Sequence, residues 1–151
     1  MTRSVAENLA APSWPILSRL GVLAARVERR AFRRWEHSMQ IRTSGDPSQL
    51  IGTLSGGNQQ KVVLARWFER NSSILSLVEP TRGVDVGARQ DIYRILRQRA
   101  RDGAAVVVAT SDAEEAVQIA DRVVVFVRGR IALELSGPDI TTDRLARAVG
   151  G

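Results

Sequence analysis

The sequence has 151 residues, 44% of them hydrophobic, and a formal charge of +6. That length supports one core and would leave two independent domains each marginal. With no cysteine and His37 as the single histidine, a disulfide framework, a thiolate metal site and a histidine cluster are all excluded, in keeping with a reducing cytoplasm.

The first twenty-odd residues alternate short apolar pieces with polar ones and carry Pro12 and Pro15. No apolar run approaches the ~20 residues of a membrane span. Ser4 and Glu7 have capping-box spacing, which predicts a short helix, followed by a proline-containing connection. A longer helix is predicted from about Ala24 to Met39, with Val27, Ala31, Trp35 and Ser38 on one stripe. Arginines crowd the stretch from Arg26 to Arg42; with Glu28 and Glu36 interleaved they read as a solvated helix face, and no nucleic-acid motif accompanies them. Gly45, Asp46 and Pro47 mark a loop.

A further helix is predicted from Ser55 or Gly56 to about Arg70, its apolar side supplied by Val62, Val63, Leu64, Ala65 and Trp67. Then the composition changes. Ile74–Val78, Ala104–Ala109 and Val123–Val127 are continuously apolar, the pattern of strands buried on both faces; Ile131–Leu135 is a fourth run. Helical stretches at Val86–Arg101 and Asp112–Ala120 separate the first three, the second with Ser111 and Glu114 as a capping box. Strand and helix in this alternation predict a parallel α/β sheet. Arg128-Gly129-Arg130 reads as a hairpin turn, and a last helix covers Thr142–Val149.

The string Leu54-Ser55-Gly56-Gly57-Asn58-Gln59-Gln60-Lys61 is the most informative. A serine cap and two glycines at a helix start leave several N–H groups bare at the positive end of the helix dipole, a place that holds phosphate. Lys61, one turn in, adds charge nearby. An ordinary capped helix whose glycines give the loop room is the other reading. Glu79 stands at the carboxyl end of an apolar strand, where ligands bind in open α/β sheets and where a carboxylate can orient or deprotonate a water. Gly83 permits a tight turn and Asp85 can cap the next helix.

The full octet resembles the ABC signature, in the Asn-Gln-Gln-Lys form typical of ATPases that serve ribose-type sugar importers. Ile74 to Pro80 resembles the Walker B strand of that family, Thr81 to Arg89 its D-loop, and Ala148-Val149-Gly150 its usual carboxyl end. The chain is thereby identified as similar to the carboxyl-terminal part of a second nucleotide-binding domain. The resemblance implies an α/β fold, a partial P-loop NTPase (RecA-like) parallel sheet joined to an all-helical signature subdomain, with residues 4–72 helical and 73–151 in the partial core. No Gly-x-x-x-x-Gly-Lys-Ser/Thr phosphate loop, or Walker A, occurs in the sequence.

From the resemblance, Ser55, Gly56 and Gly57, with Gln59 beside them, are expected to cap the γ-phosphate of ATP held by the phosphate loop of an opposite domain. Glu79 falls on the catalytic glutamate, Asp85 on the residue that couples two ATP sites, and Ser111 where many relatives have a histidine. Ser111 is expected to act mainly as a helix cap. Val78 stands where an aspartate usually places Mg²⁺, so the cofactors ATP and Mg²⁺ are expected only with a partner supplying the phosphate loop, and no metal ligand is assigned. The implied partners are a second nucleotide-binding domain, a transmembrane permease and, indirectly, a periplasmic sugar-binding protein; nucleic acid is not among them. The implied place is peripheral, on the cytoplasmic face of the membrane. A truncated ATP-binding subunit is the leading expectation, with a non-catalytic interaction module or an inactive remnant as the alternatives. The family's sheet order would put the phosphate-loop strand between the second and third apolar strands, leaving their edges unpaired in this chain.

Overall fold

The computed structural model describes residues 3–13 and 25–150. The connection at Pro15 and the expected first helical residue of the second helix, Ala24, lie outside them. Six α-helices and four strands follow in order among the described residues: α1 (Val5–Ala10), α2 (Ala25–Ser38), α3 (Gly56–Glu69), β1 (Ile74–Val78), α4 (Val86–Arg101), β2 (Ala105–Ala109), α5 (Ala113–Ile119), β3 (Arg122–Val127), β4 (Arg130–Ser136) and α6 (Thr142–Gly150). The chain divides into two compact units. One comprises Met1–Leu75 with Pro80–Val106, the other Ser76–Glu79 with Val107–Gly151.

In the first unit the capping box expected at Ser4 forms: Ser4 Oγ accepts from Glu7 N at 3.1 Å and Glu7 Oε2 accepts from Ser4 N at 2.7 Å. Satisfying these donors lets a helix as short as α1 persist. It packs on α2 and α3, with Val5, Leu9, Phe32, Val62, Leu64 and Phe68 buried between them. Two expected packing positions move. On α2, Phe32 joins Ala31 in the core, while Trp35 is half-buried, its indole N–H donating to Glu69 and its ring 6.0 Å from Phe68. On α3, Trp67 is exposed under the Arg66 guanidinium and Phe68 turns inward. The larger ring does not select the face; the helical phase set by Val62, Leu64 and Ala65 does.

β1 and β2 form a two-stranded sheet. It is parallel: Ser73 O accepts from Ala105 N at one end, and Glu79 N donates to Ala109 O at the other, each at 2.8 Å. β3 and β4 form a separate antiparallel sheet with an irregularity between Val125 and Phe126. Its two-residue turn has φ of 50° at Arg128 and 77° at Gly129, the positive values a tight hairpin needs. In the second unit Val125, Leu135, Ile140 and Leu145 make a small core, with Val117, Leu133 and Ala148 packed around it.

The expectation that the first three strands are buried on both faces is wrong for this chain. Ile74 is 67% exposed, Val78 76%, Val107 58% and Phe126 65%. Burial alternates along β1, with Leu75 inside and its neighbours outside, so one face is covered and the other is bare among the described residues. Each such side chain forgoes more than half of the ~1.5–3 kcal/mol that full burial would bring. β2 and β3 are not neighbours in either sheet.

Candidate functional site

The candidate residues fall into two groups, one in each unit. The first surrounds the start of α3. Ser55 is the N-cap residue in extended conformation, but its side chain makes no capping bond; Ser55 Oγ accepts from Asn58 Nδ2 at 2.9 Å instead. The first intrahelical bond runs from Gln59 N to Ser55 O at 2.9 Å. The N–H groups of Gly56, Gly57 and Asn58 therefore precede the ladder, at the positive end of a 14-residue helix.

Gly57 is buried against the chain between β1 and α4. A Cβ there would lie 2.6 Å from Ala88 Cβ and 3.3 Å from Asp85 Oδ2. Only glycine fits this approach without a shift of backbone. Gly56 is roomier, with Gly83 O at 3.6 Å as the nearest atom to an added Cβ. Asp85 caps α4, accepting from Ala88 N at 3.0 Å, after a turn in which Gly83 has φ of 74°. Thus Ser55, Gly56, Gly57 and Asp85 are brought together. Gln59 is not aimed outward: its side-chain amide donates to Leu54 O at 2.8 Å.

Lys61 departs from expectation most. It is 4% exposed and its ammonium sits 2.6 Å from Asp91 Oδ2, so it adds no charge to the helix start. The reason is periodicity: four residues after Gly57, it shares that residue's inward face. Gln60 also escaped sequence reasoning. Its amide donates to Pro80 O at 2.7 Å, a contact across 20 positions with no local signal.

The second group lies at the carboxyl ends of β1 and β2. Glu79 occupies the left-handed region, with φ of 47°, which costs a non-glycine residue of order 1 kcal/mol or more. Its Oε1 accepts from both the backbone N–H (2.9 Å) and the hydroxyl (2.8 Å) of Ser111, while Thr110 Oγ1 lies 3.5 Å from Oε2. The expected cap role of Ser111 is corrected. Asp112 is the N-cap of α5, accepting from Glu114 N at 2.9 Å and Glu115 N at 3.2 Å, because a carboxylate one residue nearer the helix reaches its first free donors better. Ser111 is thereby left to hold Glu79. Val78, beside it, carries no acceptor atom in its side chain, and no group of three or more potential metal-ligating side chains occurs among the described residues. No helix among them is long and apolar enough to cross a membrane.

No protein-family profile matches the chain. Among solved structures, a metal-chelate type ABC transporter in an inward-facing conformation superposes with a TM-score of 0.80 at 17% identity, over 99% of this chain and 59% of that one. An ATP-binding cassette dimer bound to ADP and Pi gives 0.71 at 24% identity, over 89% and 56%. The fold is that of part of an ATP-binding cassette. Among curated proteins, the chain is 41% identical over 138 residues to the arabinose import ATP-binding protein of Rhizobium etli, covering 91% of this chain and 27% of that protein. It is 38% identical over 148 residues to the ribose import ATP-binding protein of Geobacillus kaustophilus, covering 98% and 30%. Over almost its whole length the chain is similar to ATP-binding proteins of ribose and arabinose import. It spans less than a third of their length and corresponds to their carboxyl-terminal part.

Proposed function

We propose that this chain supplies the ATP-capping half-site of a sugar-importing ABC transporter. Ser55, Gly56 and Gly57 close over the γ-phosphate of ATP held by the phosphate loop of a second nucleotide-binding domain. The observation that carries this reading is the start of α3: a serine hydroxyl not used as a cap, beside N–H groups that precede the helical ladder. Anions bind such an end through aligned donors and the helix dipole. Asp85, fixed against Gly57, is the residue through which the partner's state reaches this half-site.

In the same proposal Glu79, with Ser111 holding one carboxylate oxygen, would orient an attacking water only where a phosphate loop stands beside its strand. Mg²⁺ would come with the nucleotide, because Val78 offers it nothing. The chain works at the cytoplasmic face of the membrane with a permease that carries the sugar.

The test mixes the chain with a sugar-importer nucleotide-binding domain that carries an intact phosphate loop, and measures trapping of ATP. Tighter nucleotide retention in the mixture, lost in Ser55→Ala, is the expected result. Retention equal with and without this chain would overturn the proposal.

A further inference from the structure

The second half of the octet makes a different set of contacts from the first. Asn58 Oδ1 accepts from Arg42 N at 2.9 Å, Gln60 Nε2 donates to Pro80 O at 2.7 Å, and Lys61 Nζ reaches Asp91 Oδ2 at 2.6 Å and Gln40 O at 3.4 Å. Adjacent residues on one helical turn thus bond outward to three separate segments: the turn after α2, the turn after β1, and α4. Gln59 returns to Leu54 O. These side chains are spent within the protein, whereas the N–H groups of Gly56 and Gly57 face the other way along the helix.

From this division we infer that Lys61 is a positioning residue, which with Asp91 locks the phosphate-facing end of α3 to α4 so that Gly57 and Asp85 move as one body. The pair suits this role. Lys61 is the sole lysine of the sequence, and its side chain is 5% exposed against 30% for Asp91. A buried ammonium is stable only with its partner in place, so the pair resists separation. The second oxygen of Asp91 receives Arg94 from the same helix, which fixes the carboxylate's rotamer. The lock lies one turn beyond Gly57 on α3 and near the capped start of α4. Between these points Gly57 and Ala88 pack so closely that a Cβ added at Gly57 would lie 2.6 Å from Ala88 Cβ. What the locked body does for ATP rests on the reading proposed above; the lock itself does not.

The experiment is hydrogen exchange on the isolated chain, comparing wild type with Lys61→Met, Asp91→Asn and the double variant. The amides to follow are those of Gln59, bonded to Ser55 O, and Ala88, bonded to Asp85. In Lys61→Met both should exchange faster together, by roughly tenfold, a coupling of the usual size for contacting residues. Amides of β3 and β4 should not change, and the double variant should be less than the sum of the singles. Where Lys61→Met fails to fold, Asp91→Asn, which keeps an acceptor for the ammonium, should show the same paired change at smaller size. Unchanged exchange at either amide, a uniform rise throughout the first unit, or additive singles would overturn the inference. None of these outcomes involves nucleotide, so failure of the ATP-capping reading would leave them unaltered.

Discussion

Ser111 donates twice to one oxygen of Glu79, through its backbone N–H at 2.9 Å and its hydroxyl at 2.8 Å. Asp112, its neighbour, holds the start of α5. Substitutions should separate these jobs. Asp112→Ala is expected to lower stability by about 1 kcal/mol, the usual value of an N-cap. Ser111→Ala leaves the cap intact and the backbone donor in place, so it should cost less than half as much. Urea titrations of both variants check this, and equal losses would restore Ser111 as a cap.

Gly57 and Gly56 should differ sharply. An added methyl at Gly57 meets Ala88 Cβ at 2.6 Å, and at Gly56 meets nothing closer than 3.6 Å. Gly57→Ala is expected to destabilise by about 1–3 kcal/mol through overpacking. Gly56→Ala should be close to neutral, its better helix propensity offsetting any local shift. Thermal melts of the pair decide it.

Glu28 provides a pH signature. Burial, and then the nearby Glu7 carboxylate, raise its pKa from the ordinary 4.5, with Arg29 pulling the other way. A carboxyl raised in the folded state favours folding when protonated, so its contribution is present below 4.5 and is lost as pH rises through the raised value. Glu28→Gln, permanently neutral, should therefore be more stable than wild type at neutral pH. The difference should vanish in acid. Paired melts at the two pH values test it, and a less stable variant at neutral pH would contradict it.

The bare apolar positions Ile74, Val78, Val107 and Phe126 predict that the isolated chain binds hydrophobic dyes and self-associates. Val78→Asp should reduce both while changing stability by no more than about 0.5 kcal/mol, since an exposed side chain has little packing to lose. Light scattering against concentration gives the answer. A monodisperse wild type with a cooperative melt at high temperature would count against it.

Much of the fold was legible because local chemistry is explicit. The Ser4 and Glu7 box, the extent of α4 and the Arg128-Gly129 turn each depend on nearby residues. The octet marked the helix start that gathers Ser55, Gly56, Gly57 and Asp85. What stayed hidden depends on contacts distant in sequence. Lys61 reads as a surface cation until Asp91, 30 positions away, is packed against it. Ser111 reads as a cap because capping spacing is local and Glu79, 32 positions away, is not. The exposure of β1 and β2 was misjudged for a related reason: apolar composition records what a strand can be buried by, and only the assembled layers record what covers it.

The burial of Lys61 leaves the described fold without an exposed ε-amine. Reagents that acylate lysine would reach Lys61 only when the interface between α3 and α4 opens, so the rate of its modification is a direct chemical clock for that opening. Modification of Lys61 at the rate of a free lysine would mean that the two helices part constantly. Protection over hours would mean that they travel as a single piece.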